Sequence, residues 1–135
     1  MKNKIIENFG HHSRFIATKN NQMEVLEQNG FTAVYSGLDC DTFNVLHISQ
    51  GDQVKIPQLR QAIEHYHSLQ QAFCIWITKE HLTTAIESLF KQLGIKVQNS
   101  ETGMVLQLSE FASTAMQLNP DYSCFNPLLA ARREK

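Results

Sequence analysis

The sequence predicts an α/β (α+β) fold, a single domain with one mixed central sheet flanked by helices. Three observations lead to this prediction: short apolar runs rich in β-formers, apolar residues at helical spacing between them, and glycine or proline where these segments end. The length of 135 residues suits one domain. Hydrophobic residues make up 42% and charged residues 19%, which is typical of a globular core rather than a disordered chain.

The first part of the chain is predicted to form a helix followed by a β-hairpin. Residues 1–29 carry apolar side chains at helical spacing, with a break or bend at Gly10 and a helix stop at Asn29-Gly30. FTAVYSGL and TFNVLHIS, which begin at Phe31 and Thr42, are rich in β-formers and flank the polar turn LDCD. We therefore expect these two segments to pair as antiparallel strands.

The second part is predicted to alternate helices and strands. Pro57 marks the first turn of a helix, where its missing N–H costs little. FCIWI, residues 73–77, is a continuous apolar run that suits a central strand covered on both faces. Thr78 is predicted to cap the next helix, and Gly94 to be its C′ residue. IKVQ, a turn at NSETG and the run MVLQLS are predicted to form a second strand pair.

The composition excludes several classes of partner. The net charge of −1 gives no overall attraction to nucleic acid, and no apolar run approaches the roughly 20 residues that cross a bilayer. The N-terminus lacks the apolar stretch of a secretory signal. Cys40, Cys74 and Cys124 lack metal-like spacing, so we expect thiols in a reducing cytoplasm. Residues 119–135, with two prolines and RREK, are predicted to be a tail or linker after a domain spanning residues 1–118.

No metal site is expected from the histidines. His65 and His67 are two positions apart, so on a helix they point in nearly opposite directions and do not share a metal ion easily. His11 and His12 are predicted to be surface residues, because a metal site there would need distant partners.

Several short motifs occur in an order that resembles a known family. Leu93-Gly94-Ile95 follows a strand and a helix, where GNAT acetyltransferases often have Leu-Gly-Phe. Ser36-Gly37, Phe43-Asn44, a strand containing Trp76, and the pattern Gly-Met-x-Leu-x-Leu at residues 103–108 are similar to the N-terminal, GNAT-like half of tandem GNAT proteins. The resemblance covers residues 31–108 and implies a GNAT-like domain. It also implies a cleft where strands four and five of that fold splay apart.

The chain departs from this family at the cofactor loop. The resemblance implies that Gln/Arg-x-x-Gly-x-Gly/Ala, which binds acetyl-CoA, should lie between strand four and helix three. Glycines there let the backbone approach the pyrophosphate, and amides at the helix N-terminus bind it. Ser49–Pro57 stands in that place as SQGDQVKIP, in which Asp52 would repel phosphate and Pro57 lacks an amide donor. We therefore expect no cofactor and no acetyl-CoA binding.

Three functions follow from this resemblance and its departure. We expect a degenerate GNAT-like module without enzymatic activity, used for binding, interaction or regulation, with a homodimer or a catalytic GNAT domain as partner. The first alternative is an N-acetyltransferase with an atypical loop, whose acetyl-CoA pyrophosphate would be held by five residues of this loop. These are Gly51, Gln53, Val54, Lys55 and Ile56.

The second alternative is a small-ligand sensor. The candidates for its cleft are Asn44, Trp76 and Tyr35. Each of the three also has a structural explanation. Asn44 is polar within a β run and must find a partner if it is buried, for example by a side-chain bond that closes the hairpin. Trp76 and Tyr35 would then belong to the core.

Overall fold

The computed structural model describes residues 2–102 and 121–125. Its α/β fold contains helices α1 (Lys2–Lys19), α2 (Ile56–Ser68) and α3 (Thr84–Gln92). Its strands are β1 (Glu24–Gln28), β2 (Phe31–Tyr35), β3 (Val45–Ile48), β4 (Cys74–Thr78), β5 (Val97–Thr102) and β6 (Asp121–Phe125). Short 3-10 turns cover Gly51–Gln53 and Lys79–His81.

The strands form one mixed sheet in the order β1-β2-β3-β4-β6-β5. The pair β3–β4 is parallel and is connected through α2, whereas the other neighbours are antiparallel. The predictions of a single mixed sheet, of a β2–β3 hairpin and of a central strand at FCIWI are confirmed. Neighbours on both sides and cover on both faces account for the continuous apolar sequence of β4.

Alternate residues along each strand face opposite sides of the sheet. On one face, α2 and α3 pack on a core that includes Leu46 and Ile75, both fully buried. On the other face lie Val45, His47 and Trp76, which approach α1. Within the residues that the structure describes, α1 therefore packs on one face of the sheet, mainly at β1 and β2, and α2 and α3 pack on the other.

The caps of α3 differ in part from the prediction. Thr83 rather than Thr78 is the N-cap, and its Oγ1 accepts a 3.3 Å bond from the amide of Ile86. Thr78 instead ends β4, and the 3-10 turn Lys79–His81 separates it from the helix. Gly94 occupies the predicted C′ position with φ +69°, and the amide of Ile95 donates to the Phe90 carbonyl.

Two predictions about the N-terminal segment are wrong. The predicted helix over 1–29 ends at Lys19, and Glu24–Gln28 is a strand that pairs with β2 through the Asn29-Gly30 turn. The predicted break at Gly10 is also absent, since α1 runs through it. A Cβ on Gly10 would lie 3.0 Å from Nδ1 of His47, so this glycine lets the helix approach the sheet closely.

The last strands also differ from the prediction. The segment NSET, predicted as a turn, belongs to β5, which pairs with β6 along its length. The other predicted strand of that pair, MVLQLS, lies outside the described residues. Residues Asp121–Phe125, in the predicted tail, insert between β4 and β5. The boundary at residue 118 itself stays a prediction.

Candidate functional site

A cavity of about 430 Å3 lies between α1, the sheet and the loop of residues 36–44. We call it the apolar cavity, because most of its lining is hydrocarbon or aromatic. The helix, the strands and the loop each contribute to it. The lining residues are Phe9, His12, Ser13, Ile16, Ala17, Met23, Val34, Asp41, Thr42, Phe43, Val45, Cys74 and Trp76. Its volume lies within the range of about 300–1,000 Å3 that is usual for small-molecule sites.

Aromatic rings form one wall of the apolar cavity. The ring of Phe9 lies 5.1 Å from that of Trp76 and 4.9 Å from that of His47, measured between centroids. At the mouth, Ile16 and Phe43 remain 60% and 48% exposed. Large apolar side chains at a solvent-open mouth are what an apolar ligand would cover.

Asn44 holds the loop that forms another wall. Its side chain is fully buried, and its Oδ1 accepts bonds from the amide and hydroxyl of Ser36, at 2.9 and 2.7 Å. Its Nδ2 donates to the carbonyls of Leu38 and Ala72, at 2.6 and 2.8 Å. One amide thus ties both ends of the loop to the chain before β4. The position of Asn44 matches the structural explanation, in which its side chain closes the hairpin.

Two further bonds fix this loop against β4. The Asp39 carboxylate accepts a 2.8 Å bond from the Ala72 amide, and the Cys74 thiol donates to the Asp41 carbonyl at 3.2 Å. The wall of the apolar cavity is therefore preformed by hydrogen bonds that originate on both sides of the loop. A preformed wall lowers the entropy cost of binding a ligand.

The three sequence-predicted cleft residues do not come together. Trp76 lines the apolar cavity, whereas Asn44 supports its wall from within the fold. Tyr35 lies on the opposite face of the sheet, where its hydroxyl donates to the Ala62 carbonyl at 3.3 Å. Burial, and then the charge of Glu24, raise the pKa of Tyr35 to about 12, so its phenol stays protonated. Tyr35 is a core residue.

The loop that the resemblance assigns to acetyl-CoA packs against another turn of the chain. β3 and β4 remain paired up to Ile48 and Ile77, so these two strands do not splay over their described length. Immediately beyond them, the 3-10 turn Gly51–Gln53 packs against the turn Lys79–His81. A Cβ on Gly51 would lie 2.7 Å from the carbonyl carbon of His81. Because Gly51 has no side chain, the two turns can pack closely.

Backbone amides of this loop are bonded within the chain. The amides of Ser49 and Gln50 donate to the Gly30 carbonyl, at 2.9 and 3.1 Å. The amides of Gln53 and Val54 donate to the carbonyls of Gln50 and Gly51, at 3.1 and 3.3 Å. These four donors each have a backbone acceptor within the chain.

The remaining loop candidates lie at the start of α2. Lys55 is the N-cap residue of α2 and is exposed, and Ile56 is partly buried against the core of the α2 face. The Lys55 carbonyl accepts the amides of Gln58 and Leu59, as expected for the first turn of a helix. The loop therefore carries one exposed positive side chain beside the exposed Asp52.

A second, polar cavity of about 370 Å3 lies beside α1 at the carboxyl end of β3. Its lining is Asn3, Ile6, Glu7, Gly10, Arg14, Thr32, His47, Ser49, Gln50 and His81. His47 is only 3% exposed, and its Nε2 atom has no hydrogen-bond partner within the described residues. Burial first, then the charges of His81 and Arg14, lower the pKa of His47 to about 4.

Sequence reasoning missed His47 and the α1 side of the apolar cavity. All four residues of VLHI are buried, and a histidine within such an apolar strand is the signal that was available. The cavity-lining residues of α1, such as Phe9 and Ala17, belong to a helix that was predicted. Where α1 lies on the sheet, Gly10 comes close to His47, and the hydrophobic periodicity of a sequence does not reveal such a tertiary contact.

Cys40 and Cys74 are thiols rather than disulfides. Within residues 2–102 and 121–125, no cluster of three or more potential metal ligands occurs. The helices of this described part include none with the length and apolar character to cross a membrane. No family model, curated protein or solved structure matches the chain.

Proposed function

We propose that this chain is a non-catalytic binding module that holds a small, mainly apolar molecule between α1 and the sheet. The observation that carries the proposal is the apolar cavity, with the rings of Phe9 and Trp76 in its wall. Polar groups of Ser13, Asp41 and Thr42 also line it. The chemistry therefore suits a molecule with an aromatic or aliphatic body and one hydrogen-bonding group.

The proposed scaffold is a degenerate GNAT-like domain. The parallel β3–β4 pair joined through α2, with α3 after β4, supports this part of the proposal. The packing of Gly51 on the turn Lys79–His81, and the four bonded loop amides, support a module that does not use acetyl-CoA. A homodimer or a catalytic GNAT domain as partner stays a prediction.

The proposal is tested with N-phenyl-1-naphthylamine, an uncharged aromatic amine whose fluorescence rises in apolar sites. Trp76 is the only tryptophan of the sequence, so energy transfer from Trp76 shows that the probe is bound to this protein, and the cavity variants below locate the site. We expect saturable, one-site binding with transfer. Ala17→Leu places extra methylene groups inside the cavity, so it is expected to weaken probe binding about tenfold or more.

The matched control for this variant is Ala85→Leu. Ala85 is an exposed residue of α3, on the other face of the sheet, and it does not line the apolar cavity. Probe binding by Ala85→Leu should equal that of the unmodified chain. Absence of saturable binding to the unmodified chain, or an equal loss in both variants, would show that the cavity is not the ligand site.

A further inference from the structure

His47 lies directly beneath α1. A Cβ on Gly10 would lie 3.0 Å from its Nδ1 atom and 3.3 Å from its Cε1 atom, and the Phe9 ring meets the imidazole edge at 4.9 Å. Helix and imidazole are therefore in contact, with no room for a hydration shell between them. A charged imidazole at this position needs solvation, and the burial of His47 beneath the helix, at 3% exposure, restricts it.

Two basic neighbours disfavour the charged form of His47. From α1, Arg14 and Glu7 line the polar cavity together with His47. The Arg14 guanidinium forms an ion pair with the Glu27 carboxylate of β1, at 2.6 Å. From the turn after β4, His81 lines the cavity, and its Nε2 lies 3.9 Å from the Glu80 carboxylate. Arg14 and His81 both act on His47 to disfavour its protonation, in addition to burial.

Phe9 connects this imidazole to the apolar cavity. It contacts His47 on one side and Trp76 on the other, and both Phe9 and Trp76 line the apolar cavity. Displacement of α1 from His47 would therefore also move Phe9 and the cavity wall that α1 provides. The helix is shared by the polar cavity and the apolar cavity.

We propose that protonation of His47 loosens α1 from the sheet and releases the ligand of the apolar cavity. This inference rests on the proposed function, and it adds regulation by acid to the same site. The ligand binds the state in which α1 covers a neutral imidazole. The proton binds the state in which α1 has moved away. Proton binding therefore lowers the affinity for the ligand, and ligand binding lowers the affinity for the proton.

The direction of the pH effect follows from two values. With α1 docked, the pKa of His47 is about 4, and once α1 departs it returns towards the ordinary value of 6.5. Between pH 6.5 and pH 4, a decrease in pH therefore favours the undocked state. The ligand affinity is highest above pH 6.5 and declines as the pH falls towards 4. At about pH 5, protonation of His47 shifts the equilibrium between docked and undocked α1 by up to about thirtyfold towards the undocked state. The ligand affinity therefore falls by no more than about thirtyfold.

The test measures N-phenyl-1-naphthylamine affinity from about pH 7 to about pH 5, a range in which this probe carries no charge. We expect the affinity of the unmodified chain to fall as the pH decreases, by at most about thirtyfold. His47→Gln, which has no ionisable group at that position, should show a clearly smaller pH dependence of affinity than the unmodified chain. His67→Gln is the matched control, because His67 is an exposed residue of α2 on the other face, and it should keep the pH dependence.

A second readout requires no ligand. Trp76 should become more accessible to acrylamide quenching as the pH falls, and in His47→Gln it should not. If His47→Gln does not fold, His47→Phe, which keeps an aromatic ring against Phe9, replaces it. Probe affinity that is constant with pH, or that falls equally in the His47 variant, overturns this inference alone. Absence of probe binding at every pH overturns the proposed function instead.

Discussion

Replacing Gly51 by alanine is expected to lower the free energy of unfolding by about 3 kcal/mol or more. The added Cβ would lie 2.7 Å from the carbonyl carbon of His81, and this neighbour is backbone that cannot rotate away. The turns Gly51–Gln53 and Lys79–His81 would have to separate, and this would open the chain just beyond the β3–β4 pair. Urea denaturation followed by circular dichroism measures the change.

Gly37→Ala is the matched control for this substitution. Gly37 has φ +78° but nothing within 4 Å of the position of a Cβ, so it tests backbone strain without a steric clash. We expect a loss of about 1 kcal/mol, the usual cost of a left-handed non-glycine residue. If Gly51→Ala is as stable as the unmodified chain, the two turns do not pack as described, and the loop is open enough to reconsider a pyrophosphate site.

Replacing Asn44 by alanine is expected to lower the free energy of unfolding by about 4 kcal/mol. The change leaves the amide and hydroxyl of Ser36 and the carbonyls of Leu38 and Ala72 without their bonds to the Asn44 side chain. Buried groups that lose their partner cost far more than an exposed hydrogen bond contributes. The wall formed by residues 36–44 should loosen as well, so probe affinity should fall together with stability.

Two other variants sharpen this test. Ser36→Ala removes only the hydroxyl of one partner and is expected to cost about 1 kcal/mol. Asn8→Ala changes an exposed asparagine of α1 that lines neither cavity, so it should leave stability nearly unchanged. If Asn44→Ala costs no more than Asn8→Ala, the Asn44 side chain does not hold the loop.

The sequence predicted the elements whose patterns are set by local chemistry. Pro57 at the start of α2 and Gly94 after α3 occur at their expected positions, because helix ends have specific backbone requirements. FCIWI predicted a central strand because a strand buried on both faces leaves no room for polar alternation.

The wrong predictions concern segments whose secondary structure is decided by pairing with another strand. MEVLEQNG fits an amphipathic helix, and Asn29-Gly30 serves equally as a helix stop and as a hairpin turn. Pairing of Glu24–Gln28 with β2 selects the strand. The segment NSET has no apolar alternation and becomes a strand through its pairing with β6. In each case the deciding partner is another strand, which a local pattern does not reveal.

The candidate site was less predictable than the fold. Of the three cleft candidates, Trp76 lines the apolar cavity, whereas Asn44 holds the loop and Tyr35 belongs to the core. The other walls come from the loop of residues 36–44 and from α1, whose Phe9 and Gly10 lie close to His47 of the sheet. Cavities arise from the way elements pack together, and single-chain periodicity describes each element alone.

The most direct test of the central claim is an amide NMR titration of the chain with indole and, separately, with acetyl-CoA to millimolar concentration. Indole is small and apolar and has one N–H group. The account predicts saturable shifts with indole at cavity residues such as Ser13, Val34 and Val45, and none with acetyl-CoA at Gly51–Ile56. Saturable acetyl-CoA shifts at Gly51–Ile56, without indole shifts in the cavity, would contradict it and favour an acetyltransferase with an atypical loop.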